Sequence, residues 1–310
     1  MKPARSLLFV PGNRGGWLES AHDNDADIVI LDLEDSVPPD EKERARKLVA
    51  EYIPKLHAKD QRLVVRINGH PNEPLPQTEH DLEAAVEEGV EAIIPPEIRD
   101  GEDVQRLDNI ITHIERRNGL ETGSTELILP TETAQAMYNV HEMCSAAERS
   151  GSILTGAVKG TDVNRALGFE WTGPGREGLE TLHMREKALL DARAAGIDYP
   201  FAGTYVDIDD IEGLRDDLQF SKEMGYTGYV VIHPKHVQYA NEVFTPDERE
   251  LEYWLGLREA LEEAKQEGRY SARYEGDMVD VANLKTANKR LEEAKAYEDD
   301  LDIDIDVEFE

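Results

Sequence analysis

Eight short apolar runs, each separated from the next by a stretch of mostly helical character, constrain this chain more than any other feature. They read as strands at SLLFV (6–10), DIVILDL (27–33), RLVVRI (62–67), EAIIP (91–95), ELILP (126–130), SILTGAV (152–158), FAGTYV (201–206) and GYVVIH (228–233). Helical patterns such as PDEKERARKLVAEYIPKL, TEHDLEAAVEEG, EDVQRLDNIITHIERR and DIEGLRDDLQFSKEMG lie between them. Strand and helix in alternation require parallel strands joined by crossovers. Eight such strands in about 230 residues predict one (β/α)8 TIM barrel, with an open doubly wound sheet as the alternative. Two more helical segments, about 246–267 and 281–297, exceed what a barrel needs. The expected organisation is therefore a catalytic barrel over 1–240 and a helical extension over 241–300, a lid or an inter-subunit contact. An acidic tail, disordered or held at an edge, follows over 301–310.

The charge narrows the choice of partners. Asp and Glu number 66 against 34 Lys and Arg, a formal net charge of −32 with an isoelectric point near 4.6. Nucleic acid and anionic membrane surfaces would repel such a chain. Disorder does not explain the acidity, because the apolar runs are those of a folded core. An acid-coated globule suited to molar salt does, and a halophilic cytoplasm is the expected setting. The single cysteine, Cys144, excludes an internal disulfide framework and reads as inert packing. The N-terminal apolar run is too short for a signal peptide, and no run approaches the roughly 18 apolar residues of a membrane span.

In a barrel the chemistry gathers where the strands end. The residues there are Arg14 after the first strand, Glu34 and Asp35 after the second, and Arg66 and Asn68 at the third. Glu132 follows the fifth, Asp162 the sixth and His233 the eighth. Four carboxylates on one rim need a counter-charge, and hard oxygen donors favour Mg²⁺ or Mn²⁺. The third-strand arginine would hold a carboxylate or polarise a carbonyl. Blander readings stand beside these: Asp40 and Asp35 as helix N-caps, His233 as structural, and Met184 and Trp171 as closing the sixth loop rather than lining the site. The stretch GPGREG (173–178) lacks the phosphate-loop pattern.

Taken in order, RSLLFVPGNR, DIVILDLEDSV, RING, ETA, GTDV and VIHPKHVQYANEVFTP resemble the citrate lyase β-subunit/HpcH-HpaI aldolase superfamily over about residues 4–297. With YEGDMVDVANLKTAN, the C-terminal motif is most similar to malyl-CoA/β-methylmalyl-CoA lyases. The resemblance implies a Mg²⁺-dependent carbon–carbon lyase that takes a CoA thioester and a 2-oxo acid. It implies Glu132 and Asp162 as metal ligands, Arg66 at the oxo-acid oxygen, and Glu34 and Asp35 beside water at the metal. Phe9 and Arg14 would contact the CoA nucleotide. Asp280 would be donated to a neighbouring subunit of a homo-oligomer, a trimer or hexamer. The chain departs from the pattern at Pro96, Tyr229 and Ser20, where relatives often carry basic residues; Arg14 is left facing the CoA phosphates. Other readings on this scaffold are a malyl-CoA thioesterase, a citramalyl-CoA lyase and a citrate lyase β subunit acting on an acyl carrier protein. A non-enzymatic structural protein would leave the acid rim unexplained.

Overall fold

The computed structural model describes residues 1–69, 76–156, 162–169 and 179–297, with positions 301 and 305. Trp171, GPGREG and residues 157–158 of the sixth run lie outside them. The chain divides into two compact units, Met1–Val243 and Phe244–Glu310.

The first unit is a closed parallel barrel. Its strands are β1 (Ser6–Pro11), β2 (Ile28–Asp32), β3 (Arg62–Arg66), β4 (Val90–Ile94), β5 (Glu126–Pro130), β6 (Ser150–Thr155), β7 (Phe201–Gly203) and β8 (Gly228–Val231). β1 pairs with β2 on one side and β8 on the other, so no edge is left open. The eightfold alternation is thus realised as a barrel and not as an open sheet. Three strands differ from the expectation by two residues or more at an end: β6 runs from Ser150 to Thr155, β7 stops at Gly203, three residues early, and β8 stops at Val231, two residues early.

Side chains alternate across a strand, which divides each run between the barrel interior and the helix layer. Leu7, Ile28, Ile30, Val64, Ile128 and Val230 meet in one buried cluster. The next residues of the same parity, Phe9, Asp32, Arg66 and Pro130, form the layer above it. The opposite parity faces the helices. Tyr229, fully buried, donates its hydroxyl to Asp217 of the helix Ile211–Met224. A basic residue at 229 would therefore meet the helix layer, and the Tyr229 departure removes no contact from the barrel mouth. Cys144 is buried in the helix Val140–Ser145, its thiol pushed up to about 12 by burial. Asp40 does not cap a helix. It lies inside a 3₁₀ turn, Pro39–Glu41, ahead of the helix Lys42–His57, whose N-cap makes no side-chain bond.

In the second unit, the helices Glu248–Gln266 and Val281–Lys295 agree with the expected segments to within about two residues. Between them lies a hairpin that the apolar pattern does not foretell, β9 (Ser271–Tyr274) and β10 (Asp277–Asp280). Glu275 and Gly276 form its two-residue turn with φ of 47° and 101°, the positive pair a primed hairpin turn requires. Ala272 and Val279 bury against Leu257, Leu261 and Ala287. Ile305 is also buried, packed with Leu251, Leu291 and Ala294. Among the described residues no helix is long and apolar enough to cross a membrane.

Candidate active site at the barrel mouth

Gly12 brings the ends of β1 and β2 together. Its N–H donates to the Asp32 carbonyl at 2.8 Å, and a Cβ there would stand 2.8 Å from that same oxygen. Beside this junction opens a cavity of about 140 Å³ lined by Phe9, Asp35, Arg66, Glu132 and Asp162. Its remaining wall is mostly apolar, with Pro130, Leu154, Val163 and Val230, and includes Thr204. Strand register explains the meeting of acid and base, since Asp32 and Arg66 are Cα partners across β2 and β3.

Arg66 organises the polar side of the cavity. Its Nε and Nη2 donate to the two oxygens of Asp32 at 2.6 and 2.8 Å, a bidentate fork. Its Nη1 lies 2.8 Å from Glu34 and 3.6 Å from Asp35. The Phe9 ring lies under the guanidinium, 4.6 Å from its central carbon. Lys42 reaches back from its helix to donate to the carbonyls of Leu33 at 2.8 Å and Glu34 at 2.6 Å, which fixes the turn carrying the acids. Burial pulls the Lys42 ammonium below its ordinary range, against the opposing pull of Asp32 and Glu34.

Burial raises the Glu34 carboxyl to about 8; Arg66 opposes the rise, and Asp35, Glu132 and Asp32 add to it. Burial likewise raises Glu132 to about 7, against the Glu97 N–H and Arg66, with Asp162 and Asp35 adding. Burial works on Asp32 in the same direction, but the Arg66 fork, the Ser36 hydroxyl and the Glu34 N–H overcome it and hold that carboxyl low. Among the described residues the acids of the mouth thus exceed the positive charge that faces them, with Arg66 paired to Asp32, Glu34 and Asp35 and Arg165 paired to Asp162. A divalent cation fits this deficit, and the all-oxygen donor set suits Mg²⁺ or Mn²⁺. Among the described residues no three metal-binding side chains form a ligand group. Glu132 and Asp162 with non-protein oxygens make a fitting set, because Mg²⁺ takes one or two carboxylates and keeps several waters.

Other residues named from the sequence fall elsewhere. Arg14 is exposed, its guanidinium 6.0 Å from the centre of the Trp17 ring, and it does not line the cavity. Ser20 is exposed and donates its hydroxyl to Gly16. Asn68 is buried, donating from backbone and side chain to Asp81 and from its amide to Leu33, so its role is structural. His233 accepts the Lys235 N–H at the start of the helix Pro234–Phe244. Met184 is buried in the helix Leu179–Ala194. Asp280 is exposed in the second unit and caps the helix Val281–Lys295, accepting from the Ala282 N–H at 2.8 Å. Two residues that strand-end reasoning overlooks are Asp32 and Lys42. Asp32 was there to find by counting two residues on from Ile28 and Ile30, the interior parity of β2.

Residues 5–234 match the family model for HpcH/HpaI aldolase/citrate lyase. The citrate lyase subunit beta of Leuconostoc mesenteroides subsp. cremoris is 31% identical over 292 residues, covering 94% of this chain and 93% of that protein. The L-malyl-CoA/beta-methylmalyl-CoA lyase of Cereibacter sphaeroides is 33% identical over 309 residues, covering 95% of each. Among solved structures, the Mycobacterium tuberculosis protein CitE in complex with magnesium, acetoacetate and coenzyme A superposes with a TM-score of 0.70 at 26% identity, covering 95% of this chain and 98% of that one. The matched span runs from the first strand of the barrel through the eighth and includes every acid and arginine that lines its mouth: the chain belongs to the HpcH/HpaI aldolase/citrate lyase family.

Proposed function

We propose that the chain is a Mg²⁺-dependent carbon–carbon lyase of CoA thioesters, joining or releasing glyoxylate and propionyl-CoA or acetyl-CoA through β-methylmalyl-CoA or malyl-CoA. The observation that carries this reading is the gathering of Asp35, Glu132, Asp162 and Arg66 around one cavity, with Glu34 and Asp35 paired to Arg66 and Asp162 paired to Arg165. A relative named for this activity matches 95% of the chain. Glu132 and Asp162 would hold the metal. When bound, the ion acts as a Lewis acid and a template for the oxygens of a 2-oxo acid.

Cleavage of the 3-hydroxyacyl-CoA breaks the bond between the hydroxyl-bearing carbon and the carbon next to the thioester. The hydroxyl proton passes to water in the site, the C–O becomes the aldehyde C=O, and the bonding pair moves to the thioester as an enolate. Arg66 Nη1, turned to the cavity, donates to the oxygen on which charge changes. Glu34 and Asp35 flank that nitrogen and accept from water in the site. Asp280, donated by a neighbouring subunit of the homo-oligomer, returns a proton to the enolate carbon and removes it in the reverse direction. Phe9, stacked under Arg66, belongs to the oxo-acid end; exposed Arg14 remains for the CoA phosphates.

A second reading, a citrate lyase β subunit acting on an acyl carrier protein, has its own support in the Leuconostoc relative, which covers 94% of the chain. The C-terminal extension therefore does not by itself separate the two. The test is product analysis at molar KCl with Mg²⁺, supplying glyoxylate with propionyl-CoA or acetyl-CoA. A new 3-hydroxyacyl-CoA establishes the lyase and ranks its acyl chains. Free CoA released from malyl-CoA without glyoxylate means a thioesterase, and pyruvate accepted in place of glyoxylate means a citramalyl-CoA lyase. Turnover confined to thioesters of an acyl carrier protein means the citrate lyase subunit.

A further inference from the structure

Asp32 carries a full set of hydrogen bonds and none of them points into the cavity. Its Oδ1 accepts from Arg66 Nε at 2.6 Å and from the Glu34 N–H at 3.0 Å. Its Oδ2 accepts from Arg66 Nη2 at 2.8 Å, the Ser36 N–H at 3.2 Å and the Ser36 hydroxyl. The residue is 1% exposed and is not among those lining the cavity. It cannot touch a substrate, yet it grips both parts of the polar rim: the arginine of β3, and the 34–36 turn that carries Glu34 and Asp35.

The geometry around Arg66 shows what this grip achieves. Asp32 takes the Nε/Nη2 edge in the plane of the guanidinium, and Phe9 covers a face. The plane is then fixed, and Nη1 is the nitrogen left toward Glu34 and the cavity. Asp32 also matches the arginine's charge, so Arg66 serves the site as an aimed donor and not as a free cation. The remaining acids keep their unmet demand for a divalent ion.

We infer that Asp32 is the positioning residue of this site: it aims Arg66 Nη1 at the reacting oxygen and, through the same carboxylate, sets the acidic turn opposite. The inference rests on the role proposed for Arg66, and its test is a double-mutant cycle of Asp32→Asn and Arg66→Ala. Three readouts are taken: turnover, glyoxylate binding by calorimetry in the presence of Mg²⁺, and Mg²⁺ binding alone. Asp32→Asn should lower kcat by on the order of tenfold to a hundredfold, as loss of an orienting partner does, while KM for the acyl-CoA changes less than about twofold. Arg66→Ala should cost more, and adding Asp32→Asn to it should cost nothing further. Mg²⁺ should bind more weakly to Asp32→Asn, more tightly to Arg66→Ala, and near the native affinity in the double variant, where the two charges lost cancel.

Additive losses in the cycle would overturn the inference, as would native glyoxylate affinity in Asp32→Asn. Should Asp32→Asn fail to fold, Asp32→Glu keeps the charge and moves the fork by one methylene; native turnover in that variant would equally overturn it. Native protein that neither binds glyoxylate nor makes product overturns the proposed function instead; native Mg²⁺ affinity in Asp32→Asn would then still overturn the part assigned to Asp32 in setting the acidic turn, because that readout needs no substrate.

Discussion

Glu34 and Glu132 keep their protons to a higher pH than ordinary carboxyls do, because of the same surroundings that would welcome a divalent ion, and this sets a pH dependence with a definite sign. Each ionises near 4.5 when unconstrained, and in the fold near 8 and near 7. A raised carboxyl favours the fold fully below its unfolded value, and that contribution is lost as the pH climbs through its folded value. The metal-free protein should therefore lose stability between pH 5 and 8 on account of these two groups. Mg²⁺ must displace their protons, so its stabilising effect should grow across the same window. At a hundredfold excess over its dissociation constant near pH 8, the ion should contribute about 2.7 kcal/mol, and distinctly less at pH 6. Thermal melts with and without Mg²⁺ at several pH values check this; a shift in Tm that ignores pH would remove both groups from the metal's surroundings. At this scale the sequence was informative where a residue stood at or just past a strand end, as Arg66 and Glu132 do, or opened the helix that follows, as Asp162 does. It misled where a residue stood inside a strand. Asp32 interrupts the apolar run IVILDL and is passed over for Glu34 and Asp35 beyond the strand end, although its parity puts it in the barrel's top interior layer beneath the rim. Lys42 was hidden for another reason: its contact with the 33–34 carbonyls is made by a long side chain folding back from a helix, which no spacing rule encodes.

One buried charge cluster ties the helix Gly101–Asn118 to the beginnings of β5 and β6. Arg149 donates to both oxygens of Glu115 at 3.0 and 3.1 Å, to the Thr112 hydroxyl at 2.8 Å and to the Thr125 carbonyl. Glu115 also accepts the N–H groups of Gly123 and Thr125, each at 2.9 Å. With side chains 2% and 0% exposed, neither partner can turn to water if the other is removed. Arg149→Met should cost about 3–5 kcal/mol at neutral pH, the usual cost of stranding one member of a buried pair. Burial would raise Glu115, but Arg149 and the two N–H groups hold it below 4.5. Its stabilisation is therefore present above that pH and lost as the pH falls through its lowered folded value. Without Arg149, burial is left to raise Glu115 in the variant, whose stranded carboxylate then takes up a proton. The deficit of Arg149→Met in urea titrations should therefore shrink as the pH is lowered from 7 to 4; a constant deficit would mean the pair does not carry the coupling. The elements themselves were legible because a barrel strand is buried on both sides and so announces itself as an apolar run. The hairpin β9–β10 was not, because one face of each strand is exposed. SARY and DMVD bury only Ala272 and Val279 between them, too little apolar content to register without the Glu275-Gly276 turn as the cue.

The whole molecule must carry a net charge of −32 without flying apart, and that sets its response to salt. Screening contracts from about 10 Å at 0.1 M to about 3 Å at 1 M, which removes most repulsion between neighbouring surface acids. Tm should rise with salt up to about 1 M and level off beyond it, equally for KCl and NaCl; full stability in dilute buffer would refute the inference of a high-salt setting. The acidity is visible in the composition, but subunit assembly is an expectation drawn only from the likeness of the C-terminal motif to lyases, so the proposed donation of Asp280 calls for a direct test. Asp280→Asn and Glu132→Ala should each abolish turnover. The first variant should keep its fold, because asparagine caps a helix about as well as aspartate and so preserves the start of the helix Val281–Lys295 while deleting the charge. If the chain assembles as proposed, the two dead variants form mixed oligomers when co-expressed. A barrel from the Asp280→Asn chain retains its metal carboxylates and can receive an intact Asp280 from a Glu132→Ala neighbour. With equal expression and random assembly, roughly a quarter of the sites recover both groups, and activity should return to about that fraction of the native level. If Asp280 served the barrel of its own chain, every site in the mixture would lack one group or the other and no activity would return.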